Sequence, residues 1–270
     1  MVFAIFAGIM GIMIDKDRTL SIMAIVNLTD DSFFSGNRFL GADICKLAER
    51  ALDEGAEIID LGACSTRPGS APVSWQKEWA RLEPVLMALK ESGILSRRGP
   101  RLSIDTFRVS IARRAYELIG DFIINDVSGG KRGMIEFAAE KNLEYIATSP
   151  VPAGQVYDFF RKFEARASKA GLKSWILDPG FGFGKVLQDN WTLLENLEPL
   201  RSFGKPLLIG ISRKSFIYKP LGLTPETCLK QTGEAHIKAL RNGGDILRVH
   251  DVAAAAQIIS SYKASTSQDN

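Results

Sequence analysis

The sequence predicts an α/β protein whose strands close into a (β/α)8 barrel. Three observations carry that expectation. Eight short apolar runs alternate with seven stretches whose apolar residues recur every three or four positions, and a final stretch of the same kind follows the last run. Several runs end in polar clusters: Asn27-Leu28-Thr29, Ser65-Thr66-Arg67-Pro68-Gly69, Asp178-Pro179-Gly180-Phe181-Gly182-Phe183-Gly184-Lys185 and Ser212-Arg213-Lys214-Ser215. In a barrel of parallel strands every strand C-terminus opens on one face, so clusters this far apart in sequence would converge on one pocket. The rival is a doubly wound open sheet. It is weakened because no Gly-x-Gly-x-x-Gly opens a helix after the first strand.

Taken in order, the first strand is 21–27, built on Ile22-Met23-Ala24-Ile25-Val26, and helix 43–54 follows it. Strand 57–61 leads to helix 76–90, and strand 101–105 to helix 109–118. Strand 122–126 precedes helix 134–140, and strand 144–148 precedes helix 157–170. Strand 174–178 is followed by helix 190–201 and strand 207–210 by helix 227–241. Strand 245–250 and helix 252–262 complete the count of eight. Nothing reads as a linker, so residues 1–270 are expected to form one domain.

Composition sets outer bounds. The chain is 46% hydrophobic and 24% charged, ordinary for a globular protein. A net charge of +3 suits an anionic small molecule and is too weak to argue for nucleic acid. Three cysteines, Cys45, Cys64 and Cys228, lack metal-like spacing and read as free thiols in a reducing, cytoplasmic compartment. Residues 1–14 are almost wholly apolar, too short for a membrane-spanning helix and without the features of a signal peptide. The expected structure is a β-hairpin, 11–14 returning through a turn at 15–18 to the first strand, closing the barrel floor. Membrane association is the alternative, and no membrane partner is expected.

The strand ends carry the chemistry. Asn27 can offer its amide oxygen to Mg²⁺ or its NH₂ to a phosphate, or it caps the loop as an Asx-turn. Ser65, Thr66 and Arg67 before Pro68-Gly69 place two hydroxyls and a guanidinium fork on a turn, a combination suited to an anion; a solvated turn is the alternative. Asp105 and Asn125 end neighbouring strands, where a carboxylate beside an amide can grip a heterocycle, or each caps a helix. A buried Asp must be satisfied by a ligand or a partner. Gly129-Gly130 gives the backbone room to turn. The loop after Asp178 can lie flat on an aromatic ring, with Lys185 placed for negative charge. Gly210 leaves a small residue at the mouth, with Arg213 and Lys214 above it. Arg248 and His250, two apart on a strand, face the same way and make a plausible anion clamp.

In this order the motifs Asn-Leu-Thr, Asp-Ser-Phe, Ser-Thr-Arg-Pro-Gly, Ser-Ile-Asp-Thr, Ile-Asn-Asp-Val-Ser-Gly-Gly, Asp-Pro-Gly-Phe-Gly-Phe-Gly-Lys, Ser-Arg-Lys-Ser and Arg-Val-His-Asp resemble those of the dihydropteroate synthase family. The similarity runs over 22–250. It implies a TIM barrel of the pterin-binding class, commonly a homodimer, and an enzyme of folate biosynthesis targeted by sulfonamides. Such an enzyme joins 6-hydroxymethyl-7,8-dihydropterin pyrophosphate to p-aminobenzoate with Mg²⁺ as cofactor. By that resemblance Asp105, Asn125, Asp178, Gly210 and Lys214 would hold the pterin. Asn27, Arg67, Arg248 and His250 would bind the pyrophosphate, with the metal at Asn27. Phe33, Thr66, Arg67, Pro68, Phe183 and Ser215 would form the p-aminobenzoate site. Asn27, Asp105, Lys214, Arg248 and His250 would be the catalytic set.

The chain departs from the family pattern in three places. Asp30 stands where Pro is usual, and Cys64 where Glu is usual. Strand five runs Ile146-Ala147-Thr148-Ser149-Pro150-Val151-Pro152 in place of a Met-His-Met segment with a long loop, and Thr148 takes the place of a pocket-lining Met. Lowered pterin affinity or altered loop packing is the expectation from that change. A specialised or non-catalytic pterin-binding homologue is the alternative reading. A pterin methyltransferase passing a methyl group to a corrinoid would not need Ser-Thr-Arg-Pro-Gly or Ser-Arg-Lys-Ser.

Overall fold

The computed structural model describes residues 18–28, 37–64, 73–131 and 133–268. Strand and helix alternate through it: β1 (Ser21–Asn27), α1 (Asn37–Asp53), β2 (Ile58–Gly62), α2 (Trp75–Ser92), α3 (Ile94–Arg98), β3 (Arg101–Asp105), α4 (Val109–Ile119), β4 (Ile123–Asp126) and α5 (Met134–Lys141). The second half continues with β5 (Tyr145–Thr148), α6 (Val156–Ala170), β6 (Trp175–Asp178), α7 (Leu187–Glu195), β7 (Leu208–Ile209), α8 (Ser215–Tyr218), α9 (Leu229–Arg241), β8 (Ile246–Val249) and α10 (Val252–Gln268).

All strand pairs are parallel, in the order β6-β5-β4-β3-β2-β1-β8-β7. A parallel bridge between Leu177 and Leu207 joins the two ends of that order and closes the barrel. The expected fold class is therefore the observed one, and the strand positions agree to within a residue or so.

The helix expected over 43–54 begins earlier, at Asn37, as α1; two other differences have a local reason. The stretch expected as one helix over 190–201 is α7 followed by a separate 3-10 segment, Glu198–Phe203. Pro199 has no N–H to give the helix and its ring crowds the preceding turn, so the α-helix ends before it. The seventh strand is shorter than 207–210. Pro206 has no N–H to give, and the Leu207 N–H goes to Asp245 Oδ2 at 2.9 Å rather than to a neighbouring strand.

Inside the barrel, Met23, Ile58, Ile123, Ile146, Ile176, Leu208 and Ile246 form one apolar ring, each contributed by a different strand. Outward-facing residues pack under the helices. On that side Tyr145 stacks on Phe163 at 5.6 Å between ring centroids, and Phe163 meets Trp175 at 5.0 Å, seating α6 on β5 and β6. Burying each such ring stabilises the fold by about 1.5–3 kcal/mol. Helix ends follow their sequence signals. Ser74 Oγ accepts the Lys77 N–H at 3.2 Å to start α2, and Gly93, at φ +69°, ends it.

The floor of the barrel is polar where the chain enters it. Arg18 Nε lies 2.8 Å from Asp245 Oδ1, and the same guanidinium donates to the carbonyls of Leu240 and Gly244. The first strand of the expected hairpin, 11–14, and most of its turn lie outside the described residues.

Candidate active site

Alternation along the strands decides which polar residues reach the barrel axis. The residue two positions beyond each member of the apolar ring points the same way. Those residues are Ile25, Asp60, Asn125, Thr148, Asp178, Gly210 and Arg248. One further step reaches Asn27, Gly62 and His250. The barrel is thus apolar below and polar towards the C-terminal ends of its strands, where enzymes of this fold place their chemistry.

Asp60 is wholly buried on β2. Its Oδ1 accepts from Ser103 Oγ at 2.6 Å and Asn125 Nδ2 at 3.2 Å. Its Oδ2 accepts from Arg248 Nε at 2.8 Å and lies 2.6 Å from Arg248 Nη2. Sequence alone assigns Asp60 no role. An acidic residue in the middle of Ile58-Ile59-Asp60-Leu61 was the available signal, since a strand this apolar hides a carboxylate only when a partner meets it.

Arg248 Nη2 also reaches Asp105 Oδ2 at 3.2 Å. Asp105 Oδ1 is buried with no hydrogen-bond partner among the described residues. Burial pushes the Asp105 carboxyl up to about 7, Arg248 opposes that rise, and Asp60 adds to it. For Arg248 burial works against the charge, but Asp60 and Asp105 outweigh it and raise the guanidinium above its ordinary value.

Asp178 is buried at the end of β6. Its Oδ1 accepts the Gly180 N–H at 2.8 Å and its Oδ2 lies 3.1 Å from Thr148 Oγ1. Lys214 Nζ donates to the Phe181 carbonyl and sits over the Phe183 ring, 4.7 Å from its centroid. Burial lowers the Lys214 amine to about 8, partly offset by the Asp178 carboxylate. Burial likewise lowers Lys185 to about 8, against the opposing pull of Asp178, and its Nζ donates to the carbonyls of Ser149 and Phe183 at 3.1 and 3.2 Å. Lys185 therefore ties two loops together.

The glycines of the Asp178–Lys185 loop serve close packing of backbone. A Cβ at Gly180, where φ is +74°, would lie 2.0 Å from the Ser149 carbonyl oxygen, and one at Gly184 2.5 Å from that of Pro150. The short segment after β5 thus packs directly on the loop after β6.

The remaining expected groups divide. His250 Nδ1 lies 3.1 Å from Ser212 Oγ, which also accepts the His250 backbone N–H at 3.2 Å. Ser212 thereby holds both the backbone and the ring of His250, the donor of the Oγ–Nδ1 contact following the ring's tautomer. Of the two cations expected above the mouth, only Lys214 faces it. Arg213, at φ +53°, forks onto Asp251 at 2.9 and 2.5 Å. Ser215 is exposed at the start of α8, and Asn27 is exposed at the end of β1. Asn125 faces the axis, whereas Asp126, one residue on, faces outward and accepts from Ser128 N, Ser128 Oγ, Gly130 N and Tyr145 OH. Phe33, Thr66, Arg67 and Pro68 lie outside the described residues.

A family model for pterin binding enzymes matches residues 23–250, from the first strand through the last. Barrel, polar mouth and match together define the class as a pterin-binding barrel enzyme. Over 256 residues the chain is 37% identical to the dihydropteroate synthase of Bacillus subtilis (strain 168), covering 90% of this chain and 87% of that protein. A solved dihydropteroate synthase from Clostridium difficile, in the presence of pteroic acid, superposes with a TM-score of 0.83 at 34% identity over 92% of this chain and 97% of that one. The Xanthomonas albilineans dihydropteroate synthase with 4-aminobenzoic acid does so at 0.83 and 33% identity, over 93% and 94%. The chain belongs to the dihydropteroate synthase family.

Proposed function

We propose that the chain condenses 6-hydroxymethyl-7,8-dihydropterin pyrophosphate with p-aminobenzoate, giving 7,8-dihydropteroate and pyrophosphate. The observation that carries the reading is the buried set at the barrel mouth. Asp105 has an oxygen without a partner among the described residues, and Asp178 retains acceptor capacity on both of its oxygens. A flat heterocycle with several N–H groups is the ligand such carboxylates satisfy.

In this reading Asp105, Asn125, Asp178, Gly210 and Lys214 hold the pterin, with Asp178 accepting two N–H groups from its amino-pyrimidine edge. Asn27, Arg67, Arg248 and His250 take the pyrophosphate. Phe33, Thr66, Arg67, Pro68, Phe183 and Ser215 form the p-aminobenzoate site, which is also where a sulfonamide of the same shape would compete.

A magnesium ion fits the mouth only as a partner of the pyrophosphate. Among the described residues no three His, Cys, Asp or Glu side chains converge into a metal cage. Mg²⁺, however, commonly takes one or two protein donors and completes its shell with water and substrate phosphate. Asn27 suits that role, since it stands exposed at the rim with an amide oxygen able to meet a cation. When bound, the ion would neutralise charge on the pyrophosphate oxygens.

The expected substitution is dissociative. The bond from the pterin methylene carbon to the pyrophosphate oxygen breaks first, and its electron pair leaves with the pyrophosphate. Arg248 and His250 stabilise the charge that grows there, which lowers the barrier because the contact strengthens as the bond breaks. The neutral arylamine nitrogen then attacks the methylene cation and loses a proton, so no strong base is required. The carboxylates around the pterin favour positive charge on the ring system while it lasts. We also propose a homodimer working in the cytoplasm; the three cysteines are free, and none of the described helices is long and apolar enough to cross a membrane.

The test is turnover. Purified protein is incubated with the pterin pyrophosphate, p-aminobenzoate and Mg²⁺, and pyrophosphate and dihydropteroate are followed by chromatography. Product that requires both the metal and the arylamine is expected. Pterin binding without product would reject the catalytic assignment.

A further inference from the structure

Thr148 ends β5 directly opposite Asp178 in the β5–β6 register, and its side chain is completely buried. Its Oγ1 lies 3.1 Å from Asp178 Oδ2. An ionised carboxylate only accepts, so the hydroxyl donates. From the other side the Gly180 N–H takes Oδ1 at 2.8 Å. The two donors, one per oxygen, fix the plane of the carboxylate. The threonine is itself held in place: its Cγ2 would stand 3.3 Å from a Cβ at Gly180, so its methyl packs against the turn that supplies the second donor. A β-branched side chain with both branches committed has one rotamer available.

We infer that Thr148 is a positioning residue for pterin recognition. It orients Asp178 so that the remaining lone pair of each oxygen meets an N–H of the amino-pyrimidine edge. The inference rests on the assignment of Asp178 as the pterin-binding carboxylate. A freely rotating carboxylate would have to be ordered on binding, and two adjacent N–H groups are met together only when both oxygens lie in the ligand plane.

The experiment compares wild type with Thr148→Val, Thr148→Ser and Asp178→Asn. Calorimetric titration with the pterin pyrophosphate gives its Kd, and steady-state kinetics give KM for each substrate. Valine keeps the shape of threonine and removes the hydroxyl. Thr148→Val is expected to raise Kd and KM for the pterin about tenfold, the scale of a lost hydrogen bond to a charged group. KM for p-aminobenzoate should stay unchanged, and Thr148→Ser should restore pterin binding. Wild-type pterin affinity in Thr148→Val, beside an Asp178→Asn variant that has lost it, would overturn the role of Thr148 and leave that of Asp178 standing. Wild-type affinity in Asp178→Asn would overturn the assignment of Asp178 itself. Equal losses in the valine and serine variants would mean packing rather than hydrogen bonding, and would also overturn the inference. Should Thr148→Val fail to fold, Thr148→Ala beside Thr148→Ser makes the same comparison.

Discussion

Arg248 holds the buried carboxylate of Asp60 through two nitrogens, Nε at 2.8 Å and Nη2 at 2.6 Å from the same oxygen. The other oxygen is taken by Ser103 and Asn125. Asp60 therefore sets the position of two groups assigned to substrates without facing the mouth itself. Asp60→Ala leaves a largely buried guanidinium short of its main partner and should cost about 3–5 kcal/mol of stability. Urea unfolding measures that loss, and pterin pyrophosphate affinity should fall with it. A stability change under 1 kcal/mol would show that Asp60 is not the anchor.

Asp105 gives the protein a pH dependence of known sign. Its folded pKa of about 7 stands above the ordinary carboxylate value, chiefly through burial. Between about 4 and 7 the folded state therefore binds more protons than the unfolded chain, and this group's contribution to stability is lost as pH rises through that window. Asp105→Asn stays neutral throughout and should lack that slope. Urea midpoints at several pH values compare the two proteins, and parallel curves would contradict the shift.

Lys214 carries its charge only up to about pH 8, because it is buried. Lys214→Ala should weaken pterin binding by about ten- to a hundredfold, the range for hydrogen bonds involving a charged group. In the wild type the contribution of that charge should fade as pH passes 8, an inflection the variant should not show. Equal pterin affinity in the two proteins would remove the residue from the site.

Arg67→Ala should raise KM for p-aminobenzoate more than it weakens pterin binding. Paired steady-state measurements decide between this and a purely pyrophosphate-binding role, in which the pterin pyrophosphate would suffer more.

Gly180→Ala puts a Cβ where the Ser149 carbonyl oxygen already stands, at a backbone angle that side chains rarely adopt. Strain of that kind alone costs about 1–3 kcal/mol, and the contact adds to it. Thermal unfolding should show the loss, and pterin affinity should drop because Gly180 N–H holds Asp178.

The strands were legible because their signal is local. An apolar run of four to seven residues ended by Asn27, Asp105, Asp126, Thr148 or Asp178 marks both the strand and its C-terminal rim, and the observed ends fall there. Strand parity also separated Arg248 and His250 from Val249, which is buried in the core outside the barrel. The same locality explains the helix misread across Pro199, where apolar spacing outweighed a proline that ends the α-helix.

By itself, then, the sequence determined the barrel, the rim and the residue types that meet there, since period, turn chemistry and motif order are properties of neighbouring residues. Only the tertiary structure decided which charges meet. Asp60 and Arg248 are 188 positions apart, and their contact depends on the β1–β2 and β1–β8 registers, which set their strands on either side of β1. The same packing turned Arg213 onto Asp251, left Lys214 facing the mouth, and brought the Thr148 hydroxyl to Asp178. Hydrogen bonds and ion pairs act over a few ångströms, and only the assembled barrel sets distances that short between strands so far apart in the chain.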